Sequence, residues 1–174
     1  KKFNPRIKAR LRKNRQVLNK NIDNFFGWVK GAKLVELKDC NPEEDPVRPE
    51  LDNKFRTGYG RKIFGVEYLG EIHAVMCFAY TNKIPKSVEE LEKLSTDAFL
   101  QTAMRDQSGG QIAIAYTVWS KKKGGGKLIV KEVFKKIKKS NHLNRLVTLS
   151  PLTEMATNFH ERNGAKLIQI NETT

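Results

Sequence analysis

QIAIAYTVWSKKKGGGKLIVKEVF, residues 111 to 134, sets an apolar run against a lysine-rich one with three glycines between them. Its first ten residues are rich in β-branched and aromatic side chains, which suit a strand. From Lys127 to Lys139 the chain mixes apolar Leu128, Ile129, Val130, Val133, Phe134 and Ile137 with lysines, the pattern of a helix that buries one face. KKKGGG, 121 to 126, joins the two. Glycines at 124, 125 and 126 let a backbone approach a ligand closely, while a helix start offers free N–H groups and the positive end of its dipole. Lys121, Lys122, Lys123 and Lys127 add positive charge, so Gly124, Gly125 and Gly126 become candidate contacts for a pyrophosphate. Taken alone, a run of glycines is a flexible solvated loop; its place between a strand and a helix supports the binding reading.

Outward from this junction the elements fall into order. RLVTLSP (145 to 151) reads as a strand ended by Pro151, TEMATNFHERNG (153 to 164) as a helix ended by Gly164, and AKLIQI (165 to 170) as a final strand. Upstream, RKIFGVEYLGEIHAVMCFAYT (61 to 81) reads as a hairpin turning near Leu69-Gly70. Ser87-Val88-Glu89-Glu90 is a capping box, and it opens a helix to about Met104 with Val88, Leu91, Leu94, Phe99 and Leu100 available for burial. AKLVELKD (32 to 39) is a short strand. The expected order gives one α/β domain over 1–174, a mixed sheet with helices on both faces.

Charge divides the chain further. The net charge is +14, and the first twenty residues carry nine Lys or Arg and no acid. Residues 1–30 read as a basic N-terminal helix with Ile7, Leu11, Leu18, Ile22, Phe25, Phe26 and Val29 on one face. Residues 41–56 form an acidic, Pro-rich loop. The excess of cations calls for an anionic partner, and the total does not choose among nucleic acid, a membrane surface and a polyphosphate cofactor. Cys40 and Cys77 are the two cysteines, too few for a disulfide framework, so a reducing cytoplasm is expected. His73, His142 and His160 are scattered, which gives no metal site, and the longest apolar run is too short to span a bilayer.

Lys121-x-x-Gly124-x-Gly126 resembles the Q/R-x-x-G-x-G/A signature with which GNAT acyltransferases grip the pyrophosphate of coenzyme A, with lysine in place of the usual Gln or Arg. Longer blocks are similar to the catalytic domain of the malonyl-CoA decarboxylase family, which has the GNAT-type fold. They are RKIF (from 61), MCFAYTNKIPKSVEEL (from 76), IAIAYTVWS (from 112), GKLIVKEVF (from 126), LVTLSP (from 146) and NFHERNGAKLIQIN (from 158). The family has a long segment between the TLSP and NFH blocks; here only LTEMAT intervenes, residues 152 to 157.

That resemblance implies a coenzyme A thioester as substrate, malonyl-CoA or a close acyl-CoA, and decarboxylation as the reaction. The family's histidine falls on His160 and its serine on Ser87. Such a reaction expels carbon dioxide and leaves an enolate that must be stabilised and protonated, and imidazole holds and delivers a proton near neutrality. The ordinary roles are a helix cap for Ser87 and a half-buried histidine near a helix C-terminus for His160. Thr117, Val118 and Trp119 would offer backbone groups to the pantetheine arm in the GNAT manner. Two alternatives stand: an N-acetyltransferase using acetyl-CoA, although QIAIAYTVWS holds no carboxylate to deprotonate an amine, and a nucleic-acid-binding module suggested by the basic N-terminal helix.

Overall fold

The sheet grows from one hairpin. In this computed structural model, which describes residues 31–105, 110–151 and 153–171, Leu69 and Gly70 both take positive φ, 50° and 78°. A two-residue loop of that kind matches the right-handed twist of the strands it joins. The strands are β1 (Lys33–Leu37), β2 (Lys62–Tyr68), β3 (Glu71–Thr81), β4 (Ile112–Ser120) and β5 (Arg145–Thr148), in spatial order β1-β2-β3-β4-β5. The first four pair antiparallel in succession, and β5 joins β4 in parallel. The helices are α1 (Asn53–Thr57), α2 (Val88–Arg105), α3 (Gly125–Lys138) and α4 (Glu154–Arg162). A parallel neighbour needs a crossover, and α3 supplies it between β4 and β5. All of these elements belong to one unit, Lys33–Thr174. The basic helix expected over 1–30 lies outside the described residues.

Alternation along the strands sorts the core into two faces. Ile63, Val75, Cys77, Ala79, Ile112, Ile114 and Tyr116 cluster with Leu91 of α2 and, partly buried, Phe55 of α1. Phe64, Met76, Phe78 and Ala113 point the other way, where α3 buries Leu128, Ile129, Val133 and Ile137. Helices therefore cover both faces, as the order of elements implies.

Four expectations change. AKLIQI forms no strand: Leu167, Ile168 and Ile170 are 72, 53 and 77% exposed, and among the described residues no sheet edge pairs with them. Strand-forming residues without a partner edge do not make a strand. On α2, Phe99 and Leu100 stay 42 and 47% exposed, although Leu91 is fully buried. The crossover helix begins at Gly125 instead of Lys127, so two of the loop glycines are helical. Finally, the acidic 41–56 stretch is built structure. It contains a short helical turn at Pro42–Glu44, the helix α1 and three side chains that are nearly or fully buried, Asp45, Arg48 and Arg56.

Candidate functional site

A bulge in β4 shapes the site. Cys77 pairs with Thr117 and Phe78 with Ala115, which leaves Tyr116 as an extra residue on β4. Two successive side chains at such a bulge fall on the same face. Tyr116 and Thr117 both point to the α1–α2 side, after which the buried positions shift from even numbers to Trp119. The parallel ladder with β5 stops at Ala115–Thr148, apart from the Leu149 N–H that donates to Ala115 O. Beyond it the strands separate, so Thr117, Val118, Trp119 and Ser120 have no β5 partner on that edge.

The acidic loop fills the base of this gap. Arg48 donates from Nε to Tyr116 O at 2.9 Å and from Nη2 to Leu149 O at 3.2 Å, bridging the parted strands. Asp45 Oδ1 accepts from the Thr117 hydroxyl at 2.8 Å and from the N–H groups of Val47 and Arg48. Asp45 Oδ2 forms an ion pair with Arg56 Nη1 at 2.9 Å, with no N–H aligned on it as a hydrogen bond. Arg56 also donates to Leu51 O and Arg48 O and lies under the Trp119 ring at 5.6 Å. Burial works against its charge, but the Cys77 and Asp45 contacts hold its pKa above the ordinary arginine value. Nothing in the sequence marked these residues beyond Asp and Arg among prolines, a composition that reads as a solvated loop.

The glycine junction is tighter than a free loop. Gly124 caps α3 at φ 81°, a left-handed conformation that suits glycine. Gly126 N–H donates to Ser120 Oγ at 2.7 Å and Gly125 N–H to Lys122 O at 3.0 Å. The N–H groups of Lys123, Gly124 and Lys127 take no partner among the described residues and are what remains to hold an anion. Lys121 pairs with Glu44 at 3.2 Å and Lys122 with Glu71 at 3.7 Å, both solvent-facing pairs of small energetic weight. Lys123 and Lys127 carry no ion pair among the described residues.

At Gly125 a Cβ would run into the backbone carbonyl of His73, which itself accepts from Lys121 N–H and Lys122 N–H. Gly125→Ala is therefore expected to destabilise the domain by about 2 kcal/mol or more, since backbone cannot yield as a side chain can. Urea unfolding would show it, and a variant as stable as the parent would mean that α3 does not start against β3.

His160 reaches this junction through its neighbour. Thr153 caps α4 by accepting from Ala156 N–H, and the chain turns out at Gly164 with φ 86°. Between them, Phe159 packs on the start of α3: a Cβ at Gly126 would stand 3.3 Å from Phe159 Cε2. The His160 ring meets that of Phe159 edge-on at 5.2 Å, and burial lowers its pKa from the ordinary histidine value. The structure thus brings the NFH block and the glycine junction together.

Ser87 is placed differently. Its Oγ accepts from Glu90 N–H at 3.1 Å, while the Glu90 carboxylate takes the Lys86 N–H at 2.9 Å, so the serine acts as a helix cap. Among the described residues no hydrogen bond joins Ser87 to His160; the link between their segments is Gln169 Nε2 donating to Pro85 O at 3.0 Å. The Trp119 ring is buried, and its Nε1 and the Tyr116 hydroxyl have no hydrogen-bond partner among the described residues. Among the described residues no group of His, Cys, Asp or Glu could hold a metal ion, and no helix is long and apolar enough to cross a membrane.

No protein-family model and no curated protein matches the sequence. Among solved structures, the chain is similar to a malonyl-CoA decarboxylase from Cupriavidus metallidurans, with a TM-score of 0.50 and 18% identity, over 80% of this chain and 36% of that one. The chain thus spans about a third of that decarboxylase. A ribosomal-protein-alanine N-acetyltransferase from Brucella melitensis biovar Abortus 2308 matches with a TM-score of 0.48 and 13% identity, over 82% of this chain and 98% of that one. With its mixed five-stranded sheet and flanking helices, the chain has an α/β, GNAT-like fold.

Proposed function

We propose that this domain binds an acyl-CoA thioester and decarboxylates malonyl-CoA or a close relative, with His160 as the group that serves the enolate. The observation that carries the reading is the packing of Phe159 on Gly126, which sets the helix bearing His160 against the glycine junction. The Gly124 and Lys127 N–H groups, with Lys123 and Lys127, would hold the pyrophosphate at the α3 start. Pantetheine would lie along β4 where it has left β5, using the backbone of Thr117, Val118 and Trp119. The thioester would then face α4. Loss of carbon dioxide sends electrons into the thioester carbonyl, and the resulting enolate is stabilised by a hydrogen-bond donor and quenched by a proton at carbon. His160 can do either from its half-buried position. Ser87, held as a cap, would act on the substrate only by giving up the Glu90 N–H.

The in-order sequence blocks, with a histidine at position 160 and no carboxylate along β4, favour this reading over transfer of an acetyl group. Incubation with malonyl-CoA and, separately, with acetyl-CoA plus amine acceptors tests it, with mass analysis of the products. Acetyl-CoA formed from malonyl-CoA is the expected result. Acetylated amine without decarboxylation would replace the reading with the transferase, and failure to bind either thioester would remove the acyl-CoA site.

A further inference from the structure

The cysteines, 37 positions apart in sequence, are drawn to one place. Leu37 of β1 pairs with Ile63, and Ile63 pairs with Cys77, so the end of β1 and Cys77 lie in one row across the sheet. Three residues past that row Cys40 packs on the same buried cluster that contains Cys77. Helix α1 fixes both sulfurs from one face. Asn53 accepts the Cys40 N–H at 3.0 Å, returns a bond to Cys40 O at 2.9 Å and lies 3.6 Å from Cys40 Sγ. One turn on, Arg56 Nη1 lies 3.5 Å from Cys77 Sγ. Residues three apart on a helix share a face, so the Asn53 and Arg56 side chains hold the two thiols side by side.

Exposure and charge give the two sulfurs different tasks. Cys40 is half-buried and within reach of solvent, whereas Cys77 is fully buried. The neighbouring Cys77 thiol, and after it Arg56, draw Cys40 down to about 7 against the effect of burial. The neighbouring Cys40, followed by burial, pushes Cys77 up. Cys40, the more exposed of the two, is therefore the thiol that ionises first.

We propose that Cys40 and Cys77 are an oxidisable dithiol, in which Cys40 reacts with hydrogen peroxide and Cys77 resolves the product to an intramolecular disulfide. Cys40 Sγ attacks the terminal peroxide oxygen, the O–O bond breaks, and the displaced hydroxide leaves as water after taking a proton; Cys40 becomes a sulfenic acid. Once Cys40 is no longer a thiolate, the charge opposing ionisation of Cys77 is gone while Arg56 remains. Cys77 loses its proton, its Sγ attacks the Cys40 sulfur, and hydroxide leaves as a second water. Two electrons pass from the sulfurs to the peroxide, and the S–S bond ties the entrance of the 41–56 loop to β3. This inference does not depend on the proposed acyl-CoA chemistry.

The test is hydrogen peroxide, added in slight excess to the reduced full chain at neutral pH, followed by alkylation and non-reducing proteolysis with mass detection. A peptide pair joining residues 40 and 77, short of two hydrogens and released by dithiothreitol, is expected. In Cys77→Ala, a Cys40 sulfenic acid trapped by dimedone should replace it, and the pH midpoint for alkylation of Cys40 should rise above that of the parent. Two free thiols after treatment of the folded parent would overturn the proposal, as would a disulfide formed only between chains. Circular dichroism of the parent before and after peroxide confirms that the reaction occurred in the folded state.

Discussion

Arg56→Ala is expected to lower the unfolding free energy by about 3–5 kcal/mol, the cost of leaving a buried carboxylate without its partner. Arg56 and Asp45 are both fully buried at the side chain, so water cannot replace the lost contact. Leu51 O loses its Arg56 donor in the same change, and Arg48 O is left with the Leu51 N–H. A domain of this size has about 5–15 kcal/mol in total, so the variant would be close to unfolding at ordinary temperature. Arg56→Lys should rescue little, because an ammonium cannot reach Asp45, Arg48 O and Leu51 O from one flat fork. Asp45→Asn gives the complementary result: Arg56 stays buried with no anion, while the amide oxygen can still accept from Thr117 and the N–H groups of Val47 and Arg48. The double variant should be more stable than the sum of the single losses predicts, with a coupling of about 1–3 kcal/mol. Urea denaturation of the four variants measures this. A single variant within 1 kcal/mol of the parent, on the scale ordinary for exposed pairs, would mean that the loop does not hold the parted strands.

The same cluster shows where sequence reasoning stops. The hairpin, the strand before the glycines, the Ser87 cap and the α4 limits were legible, because turn residues, alternation and caps are local signals. The role of 41–56 was not. Prolines and acids there suggest a solvated loop, and only the bulge at Tyr116, itself set by the pairing of β3 with β4, creates the gap that Arg48 and Asp45 fill. A non-local cause of that kind leaves no periodic trace. The glycines read in the sequence as contacts for a ligand, and the packing of Gly125 against the β3 backbone left no sequence signal of its own. AKLIQI failed for the opposite reason: a strand-like composition was present and the partner edge was missing.

His160→Ala is expected to cut decarboxylation of malonyl-CoA about a hundredfold to ten-thousandfold in kcat, the usual weight of a positioned proton donor. Binding of acetyl-CoA should change little, since the anion contacts assigned at α3 are backbone and lysine. His160→Gln separates packing from proton transfer: glutamine fills the space beside Phe159 and can donate a hydrogen bond, yet cannot deliver a proton. The pH profile carries the sharper signature. Burial disfavours the imidazolium, so in the free protein His160 loses its proton below the ordinary histidine value. If the protonated form is needed, kcat/KM holds at low pH and falls as pH rises through that lowered pKa, below about 6.5. A bound malonyl carboxylate and the developing enolate are negative and favour the imidazolium, so the same limb in kcat should lie at higher pH than in kcat/KM. If His160 works instead as a neutral hydrogen-bond donor, the profile is reversed and activity falls on the acid side. Full turnover in His160→Ala, or a kcat/KM limb unchanged in His160→Gln, would remove the histidine from the chemistry and leave α4 with a packing role through Phe159.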